Sequence, residues 1–282
     1  YHLVFSLTIF YNNSSLLLIL PEVMMRDGFV KCAAMIPSIK VADCANNEAE
    51  IIRLIDEAAT SGAKVVVFPE LCITGYTCGD LFLQDSLLNG AIASLIRIAK
   101  HSEGLDMIVF VGLPFMYGNK LYNAAAAVSG GRILGITPKT HLPNYSEFYE
   151  VRHFNPASAD VSMIKIGGLD YEIPFGSHIL YRCTTMPQLV IAAEICEDVW
   201  VSNPPSISHT LAGATMIVNC SASDDRKGHI PPGTRLRPVG KTCMCICVLQ
   251  CRRRRIDPGP CVWRTKHHCR KRKRTCRIET FY

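Results

Sequence analysis

The chain has 282 residues, 49% of them apolar, and a formal net charge of +6; that is length enough for one large α/β domain with a sizeable core, or for two small ones. The charge is unevenly spread: residues 225–282 hold 17 Lys and Arg against 3 Asp and Glu, and the remainder hold 13 against 21, so an acidic body carries a basic tail and the net charge alone names no partner. The fourteen cysteines divide the same way, seven from Cys243 onward and seven scattered through the body without a disulfide framework, a pattern of reduced thiols that points to the cytoplasm.

Leu3 to Leu20 is apolar but broken by Asn12, Asn13, Ser14 and Ser15. The two runs left are too short to span a bilayer, so no membrane association is expected. No basic leader and small-residue cleavage site accompany them. Met24-Met25-Arg26-Asp27-Gly28 opens a well-patterned globular sequence, and residues 1–24 read as an upstream, non-native extension.

From there strands and helices alternate. Phe29 to Met35 reads as a strand. Asn46-Asn47 is the expected cap of a helix over Glu48 to Ala59, whose Ile51, Ile52, Leu54, Ile55 and Ala58 share a face and which Ser61-Gly62 ends. Lys64 to Phe68 is a short buried-type strand. A helix near Leu88 to Ala99 precedes a strand at Asp106 to Gly112. Asn123 to Ser129 and Arg132 to Thr137 form a hairpin about Gly130-Gly131. Gln188 to Ile195 is a further strand, and a helix near Ser206 to Ala212 leads into a strand at Ala214 to Asn219. This order predicts an α/β layered domain.

Three local signals carry chemistry. Glu70, in Val-Phe-Pro-Glu-Leu, follows a buried strand, where layered α/β proteins place reactive groups. Lys139 opens an irregular segment, Pro138 to Phe154, rich in aromatic residues and containing Glu150 and Arg152. Cys196, in Ala-Glu-Ile-Cys-Glu-Asp, stands at the turn after an apolar strand; a nucleophilic Cys needs a base to make thiolate and donors to hold an oxyanion. Singly, each is ordinary: a solvated Glu, a surface loop, an inert core Cys.

Together, Glu, Lys and Cys in this order, each after a strand, resemble the nitrilase superfamily. Ile73-Thr-Gly-Tyr-Thr-Cys-Gly-Asp-Leu-Phe82, Lys139 through Phe154, and Asn219-Cys-Ser-Ala-Ser223 sharpen the resemblance to the glutaminase domain of glutamine-dependent NAD synthetases, over about residues 28–224. The resemblance implies a four-layer α-β-β-α sandwich over residues 25–224, incomplete at its C-terminus. It implies that Cys196 attacks the glutamine carboxamide, that Glu70 shuttles the proton, and that Lys139 and the Glu197 N–H stabilise the oxyanion. Glu150 would orient the lysine, Tyr145 and Ser223 would hold glutamine, and Tyr76 and Phe148 would wall the pocket. The glutaminase step would need no metal or cofactor; ATP and Mg would serve a synthetase domain missing here. That domain, a homo-oligomeric assembly and glutamine are the implied partners. The rival readings are a stand-alone amidase on another small amide, an inactive fragment, and a nucleic-acid binder.

The tail invites the last reading through Arg252 to Arg255 and Arg270 to Arg274, and a zinc site through Cys243, Cys245 and Cys247 with His267 and His268. Cys-x-Cys-x-Cys lacks a finger's spacing and apolar framework, so neither metal nor nucleic acid is expected. Back-translated one base out of phase, Gln250 to Arg272 can read Asn-Ala-Gly-Glu-Gly-Glu-Ser-Thr-Gln-Asp-Leu-Val-Phe-Gly-Gly-Gln-Asn-Ile-Ile-Ala-Glu-Asn, similar to a continuation of the same domain. Residues 225–282 are therefore expected to be an out-of-frame, disordered tail.

Overall fold

The computed structural model describes residues 30–222, apart from Glu147 and Ala159, together with the backbone of four short strands outside that span, Phe5–Tyr11 (β1), Ser14–Ser15 (β2), Cys245–Cys247 (β13) and Thr275–Cys276 (β14). The expected extension at 1–24 and tail at 225–282, with the calls made on them, otherwise lie outside the described residues, as does Ser223.

Strand β3 (Cys32–Ala34) leads to helix α1 (Cys44–Thr60), and β4 (Val65–Val67) to helix α2 (Asp85–His101). A meander follows, β5 (Ile108–Tyr117), β6 (Lys120–Ser129) and β7 (Arg132–Pro138), then β8 (Ser162–Lys165), β9 (Glu172–Phe175), β10 (Ile179–Cys183) and β11 (Val190–Ile195). Helix α3 (Pro205–Leu211) and β12 (Met216–Cys220) complete the described body. The strands form two sheets, one ordered β14-β3-β4-β5-β6-β7-β9-β8 and the other β13-β12-β11-β10-β1-β2.

The sequence pleat assigns each layer. In β4 and β5, Val66, Val109, Val111 and Leu113 face α1 and α2, while Val65, Val67, Ile108 and Phe110 face the second sheet. From the other side Tyr181, Ile191, Ala193, Ile195, Met216 and Val218 meet them, and Phe110 stands edge-on to Tyr181 at 5.6 Å between ring centres. The outer face of the second sheet carries Leu180, Val190, Ala192 and Ile217 on the α3 side. The result is the expected α-β-β-α sandwich, with two long helices on one side and the short α3 on the other.

Two details depart from the sequence reading. Helix α1 starts earlier, capped by Asp43, whose Oδ1 accepts the Asn46 N–H at 3.0 Å. Asn47 is instead fully buried: it accepts from Lys40 N at 2.8 Å and donates to Lys40 O and Ile73 O, tying two loops to the helix. Second, β8, β9 and β10 have no counterpart in the periodicity. They are four or five residues each, and β9 contains Pro174. The hairpin between β6 and β7 matches expectation, with Gly130 and Gly131 at φ 57° and 80°, the left-handed pair a tight two-residue turn requires.

Candidate active site

The candidate residues converge where the two sheets meet at one end. Glu70 leaves β4 in a turn that places Leu71 at φ 51°, and this turn packs on β5 at Gly112. A Cβ at Gly112 would lie 2.3 Å from Leu71 N and 2.7 Å from Glu70 Cα, so only glycine admits the backbone that carries Glu70. Lys139 follows β7 directly, its backbone held by Lys139 N to Asn123 O at 2.8 Å. Glu150 opens a short 3-10 turn, Glu150–Arg152, anchored outside by Arg152, whose Nε and Nη2 both donate to Asp80 at 2.9 Å.

These side chains form one buried cluster. Lys139 Nζ donates to Glu70 Oε1 at 2.7 Å and to Glu150 Oε1 at 2.6 Å, with Lys139 wholly excluded from solvent. Asn123 Nδ2 bridges the same carboxylates, to Glu70 Oε1 at 2.7 Å and Glu150 Oε2 at 3.1 Å. The Tyr76 hydroxyl donates to Glu150 Oε1 at 2.8 Å.

Electrostatics follow from this crowding. Burial pushes the Glu70 carboxyl up, the Lys139 charge draws it back and Glu150 pushes it up again, leaving it at about 7. Burial alone would depress the Lys139 ammonium, but the charges of Glu70 and Glu150 outweigh it and hold the lysine above its usual range, a fixed cation. The Tyr76 hydroxyl is pushed up by burial and by the same two carboxylates, so it stays a donor.

Cys196 comes from the other sheet. It directly follows β11, at φ 44°, a left-handed conformation costly for a residue with a Cβ, and opens the 3-10 turn Cys196–Val199. Asn219 on β12 secures it: Asn219 Oδ1 accepts the Cys196 N–H at 3.0 Å, and its Nδ2 lies 3.4 Å from Cys196 O. The Ser221 hydroxyl donates to the same Asn219 Oδ1. Asp198 closes the turn by accepting from Ile195 N at 3.1 Å, and from His141 N at 2.7 Å and Thr140 N at 3.1 Å beyond Lys139. A second link runs through Ala222, whose N–H donates to Glu70 Oε2 at 3.1 Å while Cys196 Sγ contacts its carbonyl at 3.8 Å.

Tyr145 and Glu197 stand at the mouth, joined by the Tyr145 hydroxyl donating to Glu197 Oε2 at 2.8 Å. Phe148 packs edge-on to both Tyr76 and Tyr145, at 6.3 and 5.7 Å between centres. An open hollow of about 630 Å³ adjoins this mouth, sharing Tyr145 and Glu197 and continuing over His141, Leu142, Val151 and Phe154. It is the approach to the site rather than the reacting centre, since Glu70, Lys139 and Cys196 do not line it. Among the described residues no three His, Cys, Asp or Glu side chains are grouped to hold a metal ion, and no helix is long and apolar enough to cross a membrane.

Sequence reading named Glu70, Lys139, Glu150, Cys196, Tyr76, Tyr145, Phe148 and Glu197, and the fold brings all of them to this end of the sandwich; Ser223 lies outside the described residues. It assigned no role to Asn123, Asp198, Asn219 or Gly112. The available signal was polar or missing side chains inside otherwise apolar strands. Asn123 opens a run of alanines, and Gly112 interrupts a run of large apolar residues.

The carbon-nitrogen hydrolase family profile matches residues 31–240. The glutamine-dependent NAD(+) synthetase of Mycobacterium tuberculosis (strain H37Rv) is 38% identical over 198 residues, 70% of this chain and 29% of that protein. The Homo sapiens protein of the same description is 31% identical over 202 residues, covering 66% of this chain and 28% of its own length. The chain thus spans under a third of these curated relatives. Among solved structures, a glutamine-dependent NAD(+) synthetase from Cytophaga hutchinsonii superposes with a TM-score of 0.62 at 31% identity, over 71% of this chain and 32% of that one. An amidase from Nesterenkonia sp., 18% identical with a TM-score of 0.53 over 72% of this chain and 68% of that one, shares the fold.

Proposed function

The chain belongs to the carbon-nitrogen hydrolase family, and from that premise we propose that it hydrolyses the side-chain amide of glutamine through a thioester on Cys196. One observation carries the reading: a buried Glu70–Lys139–Glu150 cluster meets a cysteine held in a left-handed turn, across the junction of two sheets. The choice of glutamine rests on the Mycobacterium tuberculosis, Homo sapiens and Cytophaga hutchinsonii proteins, each described as glutamine-dependent.

Glu70 accepts the Cys196 proton, and a carboxyl poised near neutrality suits both taking and returning it. The sulfur attacks the carboxamide carbon. The oxyanion forms beside the Lys139 ammonium and the Glu197 N–H, at the turn's start, where a helical N–H has no acceptor in its own turn. Collapse breaks the C–N bond, and Glu70 passes its proton to departing ammonia. Water then cleaves the thioester, releasing glutamate and restoring the thiol. Glu150 keeps Lys139 aimed. Tyr145, Ser223, Glu197, Tyr76 and Phe148 form the glutamine pocket. No cofactor enters this step.

In the whole protein, we take the ammonia to pass to a synthetase domain that uses ATP and Mg to convert deamido-NAD to NAD, in an oligomeric cytoplasmic enzyme. Residues 1–24 we read as an upstream extension and 225–282 as out of frame; an unshifted reading frame on resequencing from the Ser221 codon would remove that reading of the tail. The function is tested by ammonia and glutamate release from glutamine by the purified chain. Cys196→Ala should abolish release while leaving the melting temperature in place. Retained release refutes the mechanism, and faster turnover of another small amide moves the assignment to a general amidase.

A further inference from the structure

The oxygens of Glu70 are not equivalent. An ionised carboxylate offers about four lone-pair positions, two on each oxygen. Oε1 accepts from both Lys139 Nζ and Asn123 Nδ2, each at 2.7 Å, so both its positions are filled. Oε2 accepts only the Ala222 N–H at 3.1 Å among the described residues, and Ala222 is also the residue whose carbonyl Cys196 Sγ contacts. We propose that Asn123 is a positioning residue for the proton transfer: by filling Oε1 together with Lys139, it leaves Glu70 Oε2 as the oxygen that takes the proton of Cys196.

Asn123 suits the task by placement and by chemistry. On β6 it shares the pleat parity of Ala125 and Ala127, which face the second sheet, so its side chain is fully buried between the sheets at the site end. Its two N–H groups are both used, one on each carboxylate. The amide cannot be turned over, because that would set Oδ1 against two carboxylates. Oδ1 accordingly has no partner among the described residues, and the orientation is set by charge alone. Lys139 alone brings one positive charge to two carboxylates and one donor to Oε1, which would leave the two oxygens of Glu70 equally occupied, since Oε2 also has one donor. The second donor on Oε1, from Asn123, removes that equivalence. In the transfer the S–H bond of Cys196 breaks and an O–H bond forms on Oε2, while the sulfur pair goes to the amide carbon; the proton leaves later with ammonia.

The inference rests on Cys196 and Glu70 being nucleophile and base, and its test separates the two claims. Alkylation of Cys196 by iodoacetamide, followed at that residue by mass spectrometry across pH on the full chain, reads thiol activation without turnover. Asn123→Leu keeps the branched shape and the number of heavy atoms and removes both donors. Loss of a bond to ionised Glu70 makes it a stronger base, protonated to higher pH, so the acid limb of alkylation should move up by about one pH unit. Glutamine kcat should fall on the order of a hundredfold with KM changed far less. Asn123→Asp, isosteric and protonated among two other acids, can donate to only one of them and should shift the limb by an intermediate amount. A wild-type limb in both variants overturns the role of Asn123. Absence of any pH-dependent activation of Cys196 in the wild type overturns the catalytic reading beneath it.

Discussion

At the scale of the residue, the site works by keeping two acids and one base in unequal states. Lys139 is locked as a cation by two carboxylates, while Glu70 is lifted to about 7 by burial, against the pull of that same lysine. The sign of the pH dependence follows. As the proposed base, Glu70 would have to be ionised to accept the thiol proton, so kcat/KM should fall on the acid side of a midpoint near this value and hold above it. A pH profile of glutamine hydrolysis checks this, and a limb down in the ordinary carboxylate range would remove Glu70 as the base. Glu194 is lifted in the same direction without a cation beside it among the described residues. It is buried on the outer face of the second sheet, opposite Asn219 in register, and is pushed up to about 7 by burial and then by the Asp198 charge. Its folded value lies above its unfolded one, so its contribution favours the fold fully at low pH and is lost as pH rises through about 7. Glu194→Gln, neutral at every pH, should therefore gain in melting temperature relative to wild type at pH 8 and lose that advantage at pH 5.

Elements position these residues through contacts that local sequence only partly announces. Gly112 sits in the middle of a long strand where propensity favours a β-branched residue, and its absent side chain is where the Glu70 turn lies. Gly112→Ala should cost roughly 1–3 kcal/mol in stability through overpacking. The displaced turn should lower kcat by a larger factor than the stability loss explains; urea melts paired with glutamine turnover compare the two. Helix α1 shows the limit of cap reading. Asn46-Asn47 looks like a start signal, but Asp43 is the cap, because Asn47 is drawn into bonds with Lys40 and Ile73 from elsewhere in the chain. The long strands and both long helices were legible because their apolar periodicity spans whole elements. Strands β8 to β10 were not, because they are short and are stabilised by pairing in sheets whose other members come from distant sequence.

For the whole molecule, the decisive feature is that the site is divided between two sheets. Glu70, Asn123, Lys139 and Glu150 belong to one sheet and its loops, while Cys196, Asn219 and Ala222 belong to the other. Their alignment depends on the apolar layer between the sheets and on the cross-links from Ala222 to Glu70 and from Asp198 to Thr140 and His141. Phe110 lies at the centre of that layer against Tyr181. Phe110→Ala should cost about 3–5 kcal/mol, and activity should decline at temperatures below the global melt as the sheets lose register. Parallel thermal scans of circular dichroism and of ammonia release would show this as two separated midpoints; coincident midpoints would mean the site and the core melt as one.

By itself the sequence determined the layered α/β class and the two long helices, because alternating periodicity is a local property of the chain, and its resemblance to a known family singled out Glu70, Lys139 and Cys196 as the candidate set. Only the tertiary structure decided how that set is held: which oxygen of Glu70 takes two donors and which takes one, that Asn123 bridges two acids 53 and 27 residues away, and that Asn219 secures the strained backbone of Cys196. Such pairings depend on which strands become neighbours and on the parity with which their pleats face each other, and both are set by the closing of two sheets on a shared core.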